Sequence, residues 1–225
     1  MRTCFIFLLV LLGVPAVAAP ENSPAGERAF AVTVFCGASR ETAEPYRQAA
    51  SDLGAAIGGH GWTLVYGGGR TGSMGAVATG AKSAGGRIES VLPRILERPS
   101  VVFPGVEETV VVETMGQRKA ELQTRADVLV VLPGGFGTLD EFADTLELAR
   151  FGLLDKPIYL LNQAGYFDRL LTFFEHVKNA GFASDDGRPH LTVVTTVDEL
   201  VKRLEQVSRE WEASVEARAR PSAAN

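Results

Sequence analysis

Residues 127–141 read DVLVVLPGGFGTLDE. Val128–Leu132 is an unbroken apolar run rich in β-branched residues. A strand with one wet face would alternate, so this run reads as a strand of a parallel sheet buried on both sides. Pro133-Gly134-Gly135 ends the strand, and a helical pattern follows from Thr138. Strand, glycine turn and helix in that order make one βα unit.

The same unit recurs outward in both directions. Predicted strands cover Ala31–Cys36, Trp62–Tyr66, Arg87–Leu92, Thr109–Glu113, Val128–Leu132, Pro157–Leu161 and Thr192–Thr195. Predicted helices between and after them cover Ala43–Gly58, Ser73–Ala84, Gly116–Arg125, Thr138–Phe151, Tyr166–Ala180 and Val197–Ala217. The alternation predicts an α/β fold, a doubly wound parallel sheet with helices on both faces in a single domain, residues 31–217.

Residues 1–18 read as a secretory signal peptide: Arg2, an apolar stretch Cys4–Val14, and an Ala16-Val17-Ala18 cleavage site. Residues 19–30 read as a polar linker and 218–225 as a flexible tail. The expected location is the periplasm or the outside of the cell if the signal is used, and the cytoplasm otherwise. After cleavage no membrane contact is expected. Loss of Arg2 takes the formal net charge from −5 to −6. That acidic balance argues against a nucleic-acid partner, which would call for a basic excess. Cleavage also removes Cys4 and leaves Cys36, expected to be buried, as the one thiol. Three scattered histidines offer no metal cluster, and no metal is expected.

Ligands of open parallel sheets bind beyond the carboxyl ends of the strands. Three glycine-rich turns follow strands here: Cys36–Arg40 (CGASR), Gly67–Gly75 (GGGRTGSMG) and Pro133–Glu141 (PGGFGTLDE). Glycines let a ligand approach the main chain, and each turn leads into a helix N-terminus whose free N–H groups favour an anion. The set reads as a nucleotide or sugar-phosphate site. Gly67-x-Gly69-x-x-Gly72 also matches a dinucleotide fingerprint, but it follows the second strand, and Glu89, the candidate ribose acid, falls inside a strand. No Walker A loop is present. Thr138 and Glu141 have the spacing of a capping box, a structural reading that competes with an anion site. Arg118-Lys119 near a helix start opposes the helix dipole, at a cost of about 0.3–1 kcal/mol each, and such local conflicts often mark function.

PGGFGTLDE, with MGQRK at Met115–Lys119 and YGGGRTGSMG at Tyr66–Gly75, resembles the LONELY GUY (LOG) family over about Val32–Leu200. These are cytokinin riboside 5′-monophosphate phosphoribohydrolases, often mislabelled lysine decarboxylases. The resemblance implies a Rossmann-like fold, a homodimer, and hydrolysis of the N-glycosidic bond of an adenosine 5′-monophosphate without a cofactor. It places the catalytic pair on Arg118 and Glu141. It implies substrate contacts from Lys119 and from the phosphate loop Gly134, Gly135, Phe136, Gly137 and Thr138. Ser39, Gly68, Gly69 and Met74 of the two earlier turns complete the expected substrate-binding set.

Some positions depart from the family pattern. Ser100 stands where an acid is usual, with Glu97 the nearest substitute. Glu147-Leu148 replaces Thr-Trp, and the usual histidine before Asp155-Lys156-Pro157 is missing. Base preference therefore stays open between plain and N6-substituted nucleotides. The alternative is a nucleotide-binding protein without significant hydrolase activity.

Overall fold

The computed structural model describes residues 28–183 and 191–219. The predicted signal peptide, most of the predicted linker and the end of the tail lie outside these residues.

Seven strands form one fully parallel sheet: β1 (Ala31–Phe35), β2 (Thr63–Tyr66), β3 (Arg87–Pro93), β4 (Glu108–Val112), β5 (Val128–Val131), β6 (Ile158–Leu161) and β7 (Leu191–Val194). Their order across the sheet is β4-β3-β2-β1-β5-β6-β7. Six helices accompany them: α1 (Glu44–Gly59), α2 (Gly72–Ser83), α3 (Met115–Arg125), α4 (Phe136–Arg150), α5 (Asp168–Asn179) and α6 (Val197–Ala219). Each predicted element is present, with its ends displaced by at most a few residues.

The chain winds outward from β1 in two directions, so both faces of the central strands are buried. One core gathers Val32, Leu64 and Val130 with Leu53 and Ile57 of α1, Val77 and Ala81 of α2, and Leu200 and Leu204 of α6. The other gathers Phe35, Val65 and Val131 with Leu122 of α3, Phe142 of α4 and Phe167 before α5. Alternate residues of one strand enter opposite cores, which is why these strands read as continuous apolar runs. Cys36 is buried in the first core, as expected.

α1 and α2 pack backbone to backbone. A Cβ on Gly54 would collide with the Val77 carbonyl oxygen, and one on Gly80 with that of Ser51. β3 and β4 have no helix between them. A single 3-10 turn (Arg94–Leu96) and a strap through residues 97–107 connect them, and the strap bridges back to the second glycine turn at Gly69 and Val102. No described helix is long and apolar enough to cross a membrane.

Candidate active site

β1 and β5 are adjacent, yet the chain leaves them toward opposite edges of the sheet. Their carboxyl ends therefore splay, which is the general position of ligand sites in such sheets. A cavity of about 520 Å³ opens there, lined by Cys36–Ser39 after β1, Met74 of α2, Arg118 of α3, and Pro133–Gly135, Gly137, Thr138 and Glu141 around the start of α4.

Arg118 and Glu141 meet in its wall. Arg118 Nη1 donates to Glu141 Oε1 at 2.5 Å, and both side chains are almost fully buried. The guanidinium is fixed from behind as well, with Nε donating to the Val91 carbonyl at 3.2 Å and Nη2 to that of Gly67 at 3.4 Å. A Cβ at Gly67 would lie on top of Nη2, so this glycine is the space through which the guanidinium passes. The Arg118-Lys119 conflict is thereby resolved in part: Arg118 turns inward, across the top of the sheet.

The register of α3 against α4 brings the pair together. Gln123 Nε2 donates to Asp144 Oδ2 and Thr145 Oγ1, and Thr145 Oγ1 donates to the Glu141 carbonyl. Burial raises the Glu141 carboxyl above its ordinary pKa, and the adjacent Arg118 charge works against that rise.

The capping-box expectation at Thr138–Glu141 is corrected. α4 begins at Phe136, with Gly135 as its N-cap and no side-chain cap, so Thr138 and Glu141 are interior residues of the first two turns. Thr138 Oγ1 folds back against Gly134, where a Cβ would strike it, and that contact moves the helix start two residues upstream. The uncapped first-turn N–H groups are left for an anion. A capping box does form at α3, between Thr114 and Gln117.

Of the expected substrate-binding set, the cavity brings together Ser39, Met74, Gly134, Gly135, Gly137 and Thr138. Phe136 is 92% exposed and is not part of the cavity lining. Gly68 and Gly69 lie under the strap: Phe103 N–H donates to the Gly68 carbonyl at 3.0 Å, and Arg70 N–H to the Val101 carbonyl at 2.9 Å. The strap thus engages the backbone of the second turn at Gly68, Gly69 and Arg70. Glu89 pairs with Arg87 and Arg125 inside β3 and is not part of the cavity lining. Glu97 pairs with Arg94 outside the cavity, so it does not replace the acid missing at Ser100.

Lys119 is also outside the cavity lining. Its Nζ lies 3.0 Å from both Asp140 and Asp144. Burial favours the neutral amine, but the hydrogen bonds and charges of the two aspartates outweigh it and hold the ammonium. A lysine held as a cation is in the wrong state to form a Schiff base, and no lysine lines the cavity. Pyridoxal chemistry therefore does not fit these residues. Sequence reasoning missed Tyr46 and Tyr166, which line the opposite wall.

Comparison with known proteins places the chain in a family and a fold. A family model described as "Possible lysine decarboxylase" matches residues 74–204. A probable cytokinin riboside 5′-monophosphate phosphoribohydrolase of Oryza sativa subsp. japonica is 39% identical over 173 residues, covering 77% of this chain and 82% of its own. The cytokinin riboside 5′-monophosphate phosphoribohydrolase of Mycobacterium tuberculosis is 38% identical over 173 residues, covering 77% of this chain and 92% of its own. Among solved structures, the molybdenum cofactor carrier protein of Chlamydomonas reinhardtii superposes with a TM-score of 0.61 at 28% identity, covering 80% of this chain and 98% of that one. A molybdenum cofactor binding protein of Rippkaea orientalis, at 23% identity and a TM-score of 0.62, shares the fold. With the glycine turn, the buried pair and these relatives in agreement, the chain belongs to the LONELY GUY family of cytokinin riboside 5′-monophosphate phosphoribohydrolases.

Proposed function

We propose that this protein hydrolyses the N-glycosidic bond of adenosine 5′-monophosphates, plain or N6-substituted, to the free base and ribose 5-phosphate. The observation that carries the reading is the buried Arg118–Glu141 pair, set one turn beyond an uncapped helix start. A 5′-phosphate on the first-turn N–H groups of α4 puts the sugar alongside Glu141.

Cleavage of a ribosyl–purine bond passes through an oxocarbenium-like transition state, as glycoside hydrolysis does. The C1′–N9 bond breaks and its electron pair leaves with the base. Water oxygen bonds to C1′ and one water proton passes to the Glu141 carboxylate; the departing base takes up one proton from solvent and Glu141 returns its own to solvent, so that one water is consumed and the carboxylate is regenerated. Glu141 stabilises the cationic sugar and orients the water. Arg118 opposes the rise that burial imposes on that carboxyl's pKa, and its cavity-facing position offers positive charge to the leaving base. Ser39, Met74, Gly134, Gly135, Gly137 and Thr138 shape the pocket around phosphate and sugar.

A homodimer belongs to the same reading. Met115, Phe136, Phe151, Leu153, Phe173 and Phe182, all on or just after α3, α4 and α5, are large apolar residues left exposed, as are Ile95 and Leu96 of the 3-10 turn. The layer of α1, α2 and α6 exposes none. A one-sided apolar surface of this kind marks an association face.

The test is product analysis by liquid chromatography with AMP and N6-isopentenyl-AMP, beside Glu141→Gln. Free base from the wild type and none from the variant is expected, and the two initial rates give base preference. A folded wild-type protein that binds AMP and releases no base would instead establish the nucleotide-binding alternative.

A further inference from the structure

Among the described residues, Ala164 is the single non-glycine residue with positive φ, at 51°. Such backbone strain persists only where the surroundings over-determine it. Here they do. Ala164 sits in the turn after β6, where the Phe167 N–H donates to Asn162 Oδ1 and Asn162 Nδ2 donates to Asp168 Oδ1, both at 2.7 Å. Gln163 Nε2 reaches across to the Pro45 carbonyl at the start of α1, at 3.2 Å. The turn carries Tyr166. Its ring stands edge-on to Tyr46 of α1, with centroids 5.4 Å apart, and against buried Phe167 at 4.8 Å. Its hydroxyl donates to the Gly134 carbonyl at 2.8 Å.

The Gly134 carbonyl and the Gly135 N–H belong to one planar trans peptide, so they point in opposite directions. Holding the oxygen on one side holds the N–H on the other. Glycine flanks this peptide on both sides, and glycine tolerates either sense of φ, so the chain itself does little to stop the plane from turning over. A turned plane would present a carbonyl oxygen where an anion pocket needs a donor.

We infer that Tyr166 is a positioning residue: its hydroxyl locks the Gly134–Gly135 peptide so that the loop before α4 stays set for an anionic group. The inference rests on the phosphate-binding role proposed above for that loop. The Asn162–Asp168 turn and Tyr46 hold the ring in place, and the strain at Ala164 is the cost of aiming it.

Tyr166→Phe removes the hydroxyl and keeps the ring. In this variant the KM for AMP and the dissociation constant for ribose 5-phosphate rise about three- to tenfold, the effect of losing one hydrogen bond. Meanwhile kcat changes less than twofold, and binding of free adenine and the melting temperature stay at wild-type values. Amide hydrogen exchange across 135–139 quickens in the variant with no ligand present. Wild-type exchange together with wild-type affinity for ribose 5-phosphate would overturn the assignment. Loss of adenine binding and ribose 5-phosphate binding together would overturn it too, because that pattern marks general disruption of the site. If the wild-type protein binds no ribose 5-phosphate, the phosphate role of the loop falls, and the exchange comparison still decides whether Tyr166 locks it.

Discussion

Arg118 and Glu141 are 23 positions apart and compensate each other only because both are buried. The raised Glu141 pKa has a defined consequence. The folded carboxyl binds its proton more tightly than the unfolded one, so unfolding releases a proton between the ordinary value of 4.5 and the raised value. Stability from this group therefore falls as pH rises through that window. For activity, the acid limb of the kcat/KM profile lies above 4.5. Arg118→Gln removes the charge that opposes the rise while burial remains, so in that variant the limb moves to higher pH. A pH–rate series on both proteins checks this, and a limb that stays in place would separate Arg118 from the titration. The pair was legible in the sequence because each residue lies in a motif. The partners of Lys119 were not, since nothing in the order of residues says which of two adjacent cations turns inward and which stays with Asp140 and Asp144.

At the scale of elements, the helices that carry the site are set by contacts of very different character. α3 and α4 are held in register by polar side chains, Gln123 to Asp144 and Thr145. α1 and α2 touch through bare backbone at Gly54 and Gly80, and each added methyl would meet a carbonyl oxygen that cannot yield. Gly80→Ala should destabilise the protein by about 1–3 kcal/mol, the range for overpacking, even though alanine favours a helix more than glycine does. Chemical denaturation read by the fluorescence of Trp62 and Trp211 measures the loss. Strand and helix positions were readable from periodicity, because the fully buried sheet demands continuous apolar runs. The start of α4 was not. Thr138 advertises a cap, but its hydroxyl is turned toward Gly134, a contact that exists only once the loop has folded. The tyrosine wall escaped for a related reason: Tyr46 and Tyr166 come from distant segments, and each alone reads as ordinary core.

At the scale of the molecule, the two helical layers differ in their outer surfaces. α1, α2 and α6 turn polar faces outward, while the segments of α3, α4 and α5 expose Phe151, Leu153, Phe173 and Phe182. Size-exclusion chromatography with light scattering should give twice the monomer mass. Leu153→Glu, at a position 74% exposed and outside the cavity lining, should shift it toward the monomer without unfolding. A wild-type monomer, or a dimer indifferent to this change, would place any association elsewhere. The doubly wound parallel sheet was legible in the strand–helix alternation, but the strand order β4-β3-β2-β1-β5-β6-β7 was not. The strap over Gly68 and Gly69 was not, because residues 97–107 carry no periodic pattern to betray their path.

Arg28 forms a latch at the end of the sheet away from the cavity. Arg28 makes two hydrogen bonds to Asp127, just before β5, and its guanidinium stacks over Trp211 of α6. Asp127 also receives the N–H of Ala31, the first residue of β1. All of these groups lie at the amino ends of the central strands, while the cavity opens at their carboxyl ends. The molecule thus has a built-in attachment pole. A bead or sensor surface attached at this end of the sheet leaves the cavity mouth directed outward.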